Sequence, residues 1–260
     1  MVVSRRDDRA LLDEAFRPAR VAAFPPGEFV GQESFMRASE IRRLAVDAGV
    51  GPGVSVLDLC CGVAGPGRFL TSTLGCSYLG VDACESAVDI ARERATGLPC
   101  RFQVGRVPPV PRGPFDVVLL LETFLAFPDK EALLRQICAR LPVGGRFVFT
   151  LEAGDPLSGA EAAAMPEADT VWLVPVAELT ACLDRVGLVV RRQEDVSRDH
   201  LEVVASLIAA FGTHGSQIAA RAGQPALDRL AASHRLWDDW LRTGRVRKLA
   251  FVTEKDGIPV

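Results

Sequence analysis

The stretch Val54-Ser-Val-Leu-Asp58-Leu-Cys60-Cys61-Gly62-Val-Ala64-Gly65-Pro66-Gly67-Arg-Phe-Leu70 starts as an apolar run of strand length and breaks into a glycine-rich turn that opens a helix. Such a turn lets the backbone approach a ligand and aims amide groups at it. A glycine-rich bend that holds nothing is the plainer alternative. A second stretch, Tyr78-Leu-Gly80-Val81-Asp82, sharpens the reading, because a strand ends there in an acid. A carboxylate about twenty residues beyond the turn can accept hydrogen bonds from both hydroxyls of a ribose. For Asp82 the alternative is an acid that caps its own turn. The spacing Asp-x-Cys-x-Gly-x-Ala-Gly lacks the GxGxxG fingerprint that a nicotinamide oxidoreductase needs after its first strand.

Outward from this turn, short apolar runs alternate with helix-like segments. Strands are predicted at 54–59, 77–81, 101–104, 115–121, 145–151, 188–194 and 247–254, with helices at 67–74, 86–96, 130–141 and 176–186. This alternation predicts an α/β fold: an open, doubly wound, seven-stranded sheet, mostly parallel, whose last strand is antiparallel because no ordinary crossover precedes it. Helices are also predicted at 1–23, 34–48, 199–222 and 225–243. The expected organisation is an N-terminal helical cap (1–50), a ligand-binding core (51–196), a helical lid (197–243) and a returning core strand (244–260).

The 260 residues are 48% hydrophobic and 24% charged, enough to bury a core and too apolar for disorder. Lys+Arg 30 against Asp+Glu 33 gives a net charge of −3, which is no footprint for a nucleic-acid backbone. A small-molecule partner is expected, with no nucleic acid and no membrane, for a protein acting as monomer or homodimer. The N-terminus mixes charges from Ser4 onward and no stretch is read as long enough for a secretory signal or a membrane span, so a cytoplasmic location is expected. Seven cysteines without a CxxC spacing suggest neither a disulfide framework nor a zinc site. His214 and His234 are spread along the lid helices with no acid at ligand spacing, so no metal is expected.

At this point the chain resembles the class I S-adenosylmethionine-dependent methyltransferases, especially the glycine/sarcosine and natural-product enzymes. Asp58-Leu-Cys-Cys-Gly-Val-Ala-Gly is similar to the family's first motif, Gly80-Val-Asp82 to its second, and Phe115-Asp116-Val-Val-Leu-Leu-Leu-Glu122 to its fourth. Leu141-Pro-Val-Gly-Gly-Arg-Phe-Val resembles the turn before its fifth strand. The resemblance implies S-adenosylmethionine as cofactor, with Asp58, Cys60, Gly62, Ala64 and Gly65 walling its methionine and ribose side and Asp82 on the ribose. Glu122 would lie beside the methyl. The segment Gly31-Gln32-Glu33-Ser34-Phe35 resembles one that folds over the cofactor, which makes Gln32 and Phe35 contacts and lets Arg37 pair with its carboxylate; a solvated Arg37 is the equal alternative. Two departures stand out: Cys60 replaces the motif's first glycine, and Arg106 stands where many members carry an acid for adenine. Adenine recognition then falls to Ala83, Val104, Gly105 or Val107.

The fourth motif ends in Leu121-Glu122-Thr123-Phe124, without the Asn/Asp-Pro-Pro-aromatic pattern of enzymes acting on nucleic-acid amines. Leu98-Pro99-Cys100 resembles a cytosine-methylating Pro-Cys only superficially, since it precedes the third strand. Glu122 and His200 are candidate bases for an acceptor; Glu122 could instead bond backbone amides, and His200 could instead cap a helix. The segment 201–211 is more apolar than one helical stripe requires, so Leu207 and Phe211, with Phe124, Phe127 and Trp172, are expected to line a hydrophobic acceptor pocket. Core packing is the default alternative. The resemblance implies methyl transfer to O, N or C of a small hydrophobic metabolite in natural-product biosynthesis; the alternative is a methyltransferase-like protein that binds the cofactor as a regulator or cyclase.

Overall fold

A computed structural model describes the backbone of residues 5–257 and the side chains of 11–257. Residues 1–4 of the expected first helix and 258–260 of the expected last segment lie outside the described residues. The sheet comprises β1 (Ser55–Leu59), β2 (Ser77–Asp82), β3 (Cys100–Val104), β4 (Val117–Leu120), β5 (Arg146–Ala153), β6 (Leu188–Asp195) and β7 (Arg247–Lys255). Their order is β3-β2-β1-β4-β5-β7-β6. β7 pairs antiparallel with both β5 and β6, and the other pairs are parallel. Chain order reverses between β1 and β4, which opens a crevice beyond their carboxyl ends.

Burial explains why these runs are strands. β4, Val-Val-Leu-Leu, is buried throughout and sits mid-sheet, where both faces are covered by helices. The edge strands β3 and β6 carry exposed polar side chains, including Arg101, Gln103, Arg191 and Arg192, which discourage further pairing. Under one face Phe147 stacks on Phe149 at 4.7 Å and Phe149 on Phe251 at 4.8 Å, tying β5 to β7.

The helices are α1 (Arg5–Ala23), α2 (Ala38–Asp47), α3 (Gly65–Leu74), α4 (Glu85–Arg94), α5 (Lys130–Arg140), α6 (Gly159–Ala164), α7 (Val176–Arg185), α8 (Ser197–Ala222) and α9 (Gln224–Thr243). The short α6 has a Ser158–Glu161 capping box that the apolar pattern does not reveal. The helix expected from residue 34 starts only at Ala38, because 31–36 run as a bent, non-helical strap across the glycine turn. A Cβ on Gly65 would sit 2.3 Å from the Gly31 carbonyl carbon, so strap and turn touch backbone to backbone. The expected N-terminal cap is therefore divided. α1 packs with α8 and α9 around Phe16, Leu207, Phe211 and Ile218, whereas Ile41 and Leu44 of α2 join the core beneath β1 and β4.

Against the expectation that no stretch reaches the length of a membrane span, α8 is long and apolar enough to cross one by length and composition alone. In this fold its buried residues Val203, Leu207 and Phe211 face α1 and α9.

Candidate active site

A cavity of about 240 Å³ opens at the switch point, lined by the strap (Gly31, Gln32, Glu33, Ser34), by Asp58, residues 60–63, Gly65 and Pro66 of the glycine turn, by Asp82, and by Leu121-Glu122-Thr123 at the end of β4, whereas Ala64 is buried beneath the turn and does not line it. The turn is tightly built. Cys60 has φ +60°, a left-handed conformation that a glycine would hold without the strain a Cβ brings, and Ala64 and Glu122 have φ +54° and +59°. Asp82 braces the turn: its Oδ2 accepts from Gly62 N at 2.9 Å and its Oδ1 from Cys84 N at 2.8 Å. Each oxygen keeps a further lone pair for a ligand hydroxyl. Asp82 thus caps its own turn and is placed to bind, so its two readings are compatible.

Asp58 lies at the cavity floor, where the chain's single tyrosine, Tyr78, donates its hydroxyl to Oδ2 at 2.5 Å. Burial pushes the Asp58 carboxyl up to about 7, against the lowering effect of the Tyr78 hydroxyl. The lining includes the carboxyl groups of Glu33, Asp58, Asp82 and Glu122 and, among the described residues, no lysine or arginine, although Arg20 reaches Glu33 from outside at 3.0 Å. Such a wall favours a ligand that carries positive charge.

Of the strap residues, Gln32 is buried and organises the backbone, donating to Glu28 O and Met36 O at 2.8 Å and accepting from Val30 N. Phe35 does not line the cavity; its ring lies edge-on to His200 and His234, with the Lys248 ammonium 5.7 Å from its centre. The expected pairing of Arg37 with a ligand carboxylate is corrected. Its guanidinium is taken by Glu202 at 2.9 Å and Asp199 at 3.7 Å on α8, because α8 runs past the start of α2. Ala83, Val104 and Gly105 sit beside Asp82 at the ends of β2 and β3, where Gly105 N donates to Asp82 O at 2.9 Å; Val104 is exposed, and none of the three lines the cavity itself.

The expected hydrophobic acceptor pocket is not assembled. Phe124 is fully buried against Phe147 and Phe149, and Phe127 joins the same core. Leu207 and Phe211 are buried in the α1–α8–α9 layer, Phe211 edge-on to Phe16 at 5.7 Å. Trp172 is 47% exposed and borders a separate surface cavity beside Lys130. Rings consumed by interior packing have no face left for a ligand. The expected lid, 197–243, supplies none of the cavity lining; the strap covers it instead.

What the structure does bring together is a sealed group of charges behind Glu122. The Lys248 ammonium donates to Glu122 Oε2 at 2.7 Å and to Glu152 Oε1, while Thr150 Oγ1 accepts from the Glu122 backbone at 2.6 Å. Burial works against the charge on both partners. Nevertheless the Lys248 ammonium holds Glu122 below the usual carboxylate range, and the two carboxylates hold Lys248 above the usual lysine range. His200 is fully buried, its Nε2 within 3.0 and 3.2 Å of the two Glu40 oxygens. Glu40, Glu152 and Lys248 were not singled out from the sequence. The available signal was a charge inside an otherwise apolar strand, as in Thr-Leu-Glu152-Ala and Lys248-Leu-Ala-Phe.

The sheet order, with its glycine turn and strand-ending acid at the switch point, matches the fold of solved methyltransferase-like structures. Residues 56–145 match the methyltransferase domain family, and the motifs read at 58–65, 80–82 and 115–122 lie within that stretch. Over 103 residues, 38% of this chain and 21% of the relative, the sequence is 32% identical to phosphoethanolamine N-methyltransferase 3 of Arabidopsis thaliana. It is also 32% identical over 107 residues, 39% of this chain and 38% of the relative, to sarcosine/dimethylglycine N-methyltransferase of Halorhodospira halochloris. The chain spans about a fifth of the length of the plant relatives it matches. In fold it is similar to the cyclopropane synthase MmaA2 of Mycobacterium tuberculosis, with a TM-score of 0.80 over 97% of this chain and 99% of that one at 15% identity.

Proposed function

We propose that the protein transfers a methyl group from S-adenosylmethionine to a nucleophilic O, N or C of a small molecule in the cytoplasm, as a tailoring step in natural-product biosynthesis. The observation that carries the reading is Asp82, held by Gly62 N and Cys84 N at the mouth of a glycine turn, with spare acceptor capacity toward the cavity. The residues present fit the cofactor. Asp82 would hold the ribose hydroxyls, the backbone of Gly62 and Gly65 would flank the sugar and amino-acid portion, and the carboxylate-rich wall suits a sulfonium cation. When bound, the cofactor supplies an electrophilic methyl group on positively charged sulfur.

The protein's own contribution is alignment and exclusion of water. The strap closes over the turn, and Glu122 marks the end of the cavity where an acceptor would meet the methyl. Glu122 and His200 are the residues proposed to manage the acceptor's proton. The burial of Phe124, Phe127, Leu207 and Phe211 removes the support for a hydrophobic acceptor.

Calorimetry with S-adenosylmethionine, S-adenosylhomocysteine and NAD tests cofactor choice, and release of S-adenosylhomocysteine in the presence of a panel of small amines, phenols and acidic carbon compounds tests transfer. Binding of the first two but not NAD, with turnover on at least one acceptor, is expected. Binding without turnover on any acceptor would favour the regulator or cyclase reading, and no binding would overturn both.

A further inference from the structure

Behind the cavity three buried polar atoms, Glu122 Oε1, Glu152 Oε2 and His200 Nδ1, lack a hydrogen-bond partner among the described residues, and two of them, Glu122 Oε1 and His200 Nδ1, lie 3.8 Å apart. A water bridging them would hold them roughly 4.5 to 5.5 Å apart, given two hydrogen bonds of about 2.8 Å, so the gap has no room for one. A small side-chain shift brings the two atoms into direct contact, but that contact is attractive only with a hydrogen between them. The other side of the imidazole is already committed, because Glu40 takes Nε2 with both oxygens. A buried carboxylate that holds one ring nitrogen as a donor leaves the other as a lone pair.

The ring sits among charged groups from four elements. Glu40 from α2, Glu122 from the end of β4 and Glu152 from β5 face this interior, against one ammonium, Lys248 from β7. Phe35 closes the group with its ring edge toward His200 and its face toward Lys248, and Arg37 at the start of α2 is occupied by Asp199 and Glu202. With a neutral imidazole the interior holds three carboxylates and one cation.

We propose that Glu122, His200 and Glu40 form a proton relay that removes the acceptor's proton from the cavity, with His200 as the station that keeps it and Glu40 as the positioning residue. The proposal rests on the methyl-transfer reading above. As the acceptor's new bond to the methyl carbon forms, the carbon–sulfur bond breaks and its electron pair stays on sulfur. The acceptor's X–H bond gives its proton to the Glu122 carboxylate, which Lys248 keeps from retaining it, and Glu122 passes it to His200 Nδ1. The positive charge lost from sulfur reappears on an imidazolium between two carboxylates, so the charge of the closed site is conserved through the step.

The chain has three histidines, so nitrogen-15 labelling of histidine and long-range proton–nitrogen NMR resolve the hydrogen placement on His200 in the free protein. A neutral ring with its hydrogen on Nε2 is expected; a hydrogen on Nδ1, or on both nitrogens, at the pH of turnover overturns the relay. With an acceptor from the panel above, Glu40→Gln should lower kcat by roughly 10²-fold or more and alter its pH profile. Acceptor KM and cofactor affinity should stay near wild type, and Glu40→Asp should restore part of kcat. Wild-type kcat and pH profile in a folded Glu40→Gln protein would overturn the relay while leaving methyl transfer intact, whereas a wild-type protein that binds no cofactor or methylates no acceptor overturns the methyl-transfer reading and the relay with it.

Discussion

Replacing Asp82 separates its two roles, because the same carboxylate braces the turn and faces the cavity. Its oxygens hold Gly62 N at 2.9 Å and Cys84 N at 2.8 Å. Hydrogen bonds to a charged acceptor contribute about 1.5 to 3 kcal/mol each, and the half-buried position of Asp82 puts it near the lower end. Asp82→Ala should therefore cost the fold about 2 to 3 kcal/mol, which a stable domain survives. It also removes both acceptors offered to the ribose, weakening cofactor binding by about 2 to 4 kcal/mol, or roughly 30- to 1,000-fold in Kd. Asp82→Asn keeps one carbonyl oxygen and should lose about half as much on each count. Titration calorimetry with S-adenosylhomocysteine reads the affinity, and a urea melt on the same preparations reads the fold. A folded Asp82→Ala protein with wild-type affinity would refute the placement of the ribose at the end of β2. A loss in stability with no loss in affinity would leave Asp82 as a turn cap only.

Other consequences follow from the buried charges and the reassigned rings. Because burial makes Asp58 harder to ionise in the fold than in the unfolded chain, its stabilising contribution is full below about pH 4 and is lost as pH rises through about 7. Asp58→Asn should flatten that dependence and leave the protein more stable than wild type by up to about 4 kcal/mol above pH 8, read from urea melts across pH; parallel curves would mean Asp58 is not buried as a carboxyl. Lys248→Met leaves Glu122 and Glu152 without their shared cation and should destabilise by about 3 to 5 kcal/mol, so a change under about 1 kcal/mol would show that the group is hydrated. Phe211→Ala should cost about 3 to 4 kcal/mol through the cavity left between α1, α8 and α9, with cofactor affinity unchanged; a cost near zero would return the ring to the ligand side.

The parts of this protein that could be read along the chain are those whose physics is local. The runs at 54–59, 77–81 and 247–254 identify themselves as strands by length and apolar content, and β1, β2 and β7 fall within a residue of them. The glycine turn and Asp82 were legible for the same reason, since a tight turn and the acid that braces it lie within one strand–helix–strand unit. Tertiary packing decided the rest. An apolar stripe looks alike whether it faces a core or a ligand, so Leu207 and Phe211 suggested a pocket until α1 was seen to cover them. Arg37 looked free because its partners, Asp199 and Glu202, lie more than 160 residues away in the chain. Glu122 and Lys248 are 126 positions apart and His200 and Glu40 are 160 apart, and no periodicity links such residues. Their pairing exists because the antiparallel return of β7 beside β5 carries a lysine to the end of β4, while α8 leaves β6 across the start of α2, bringing a buried histidine against a buried glutamate.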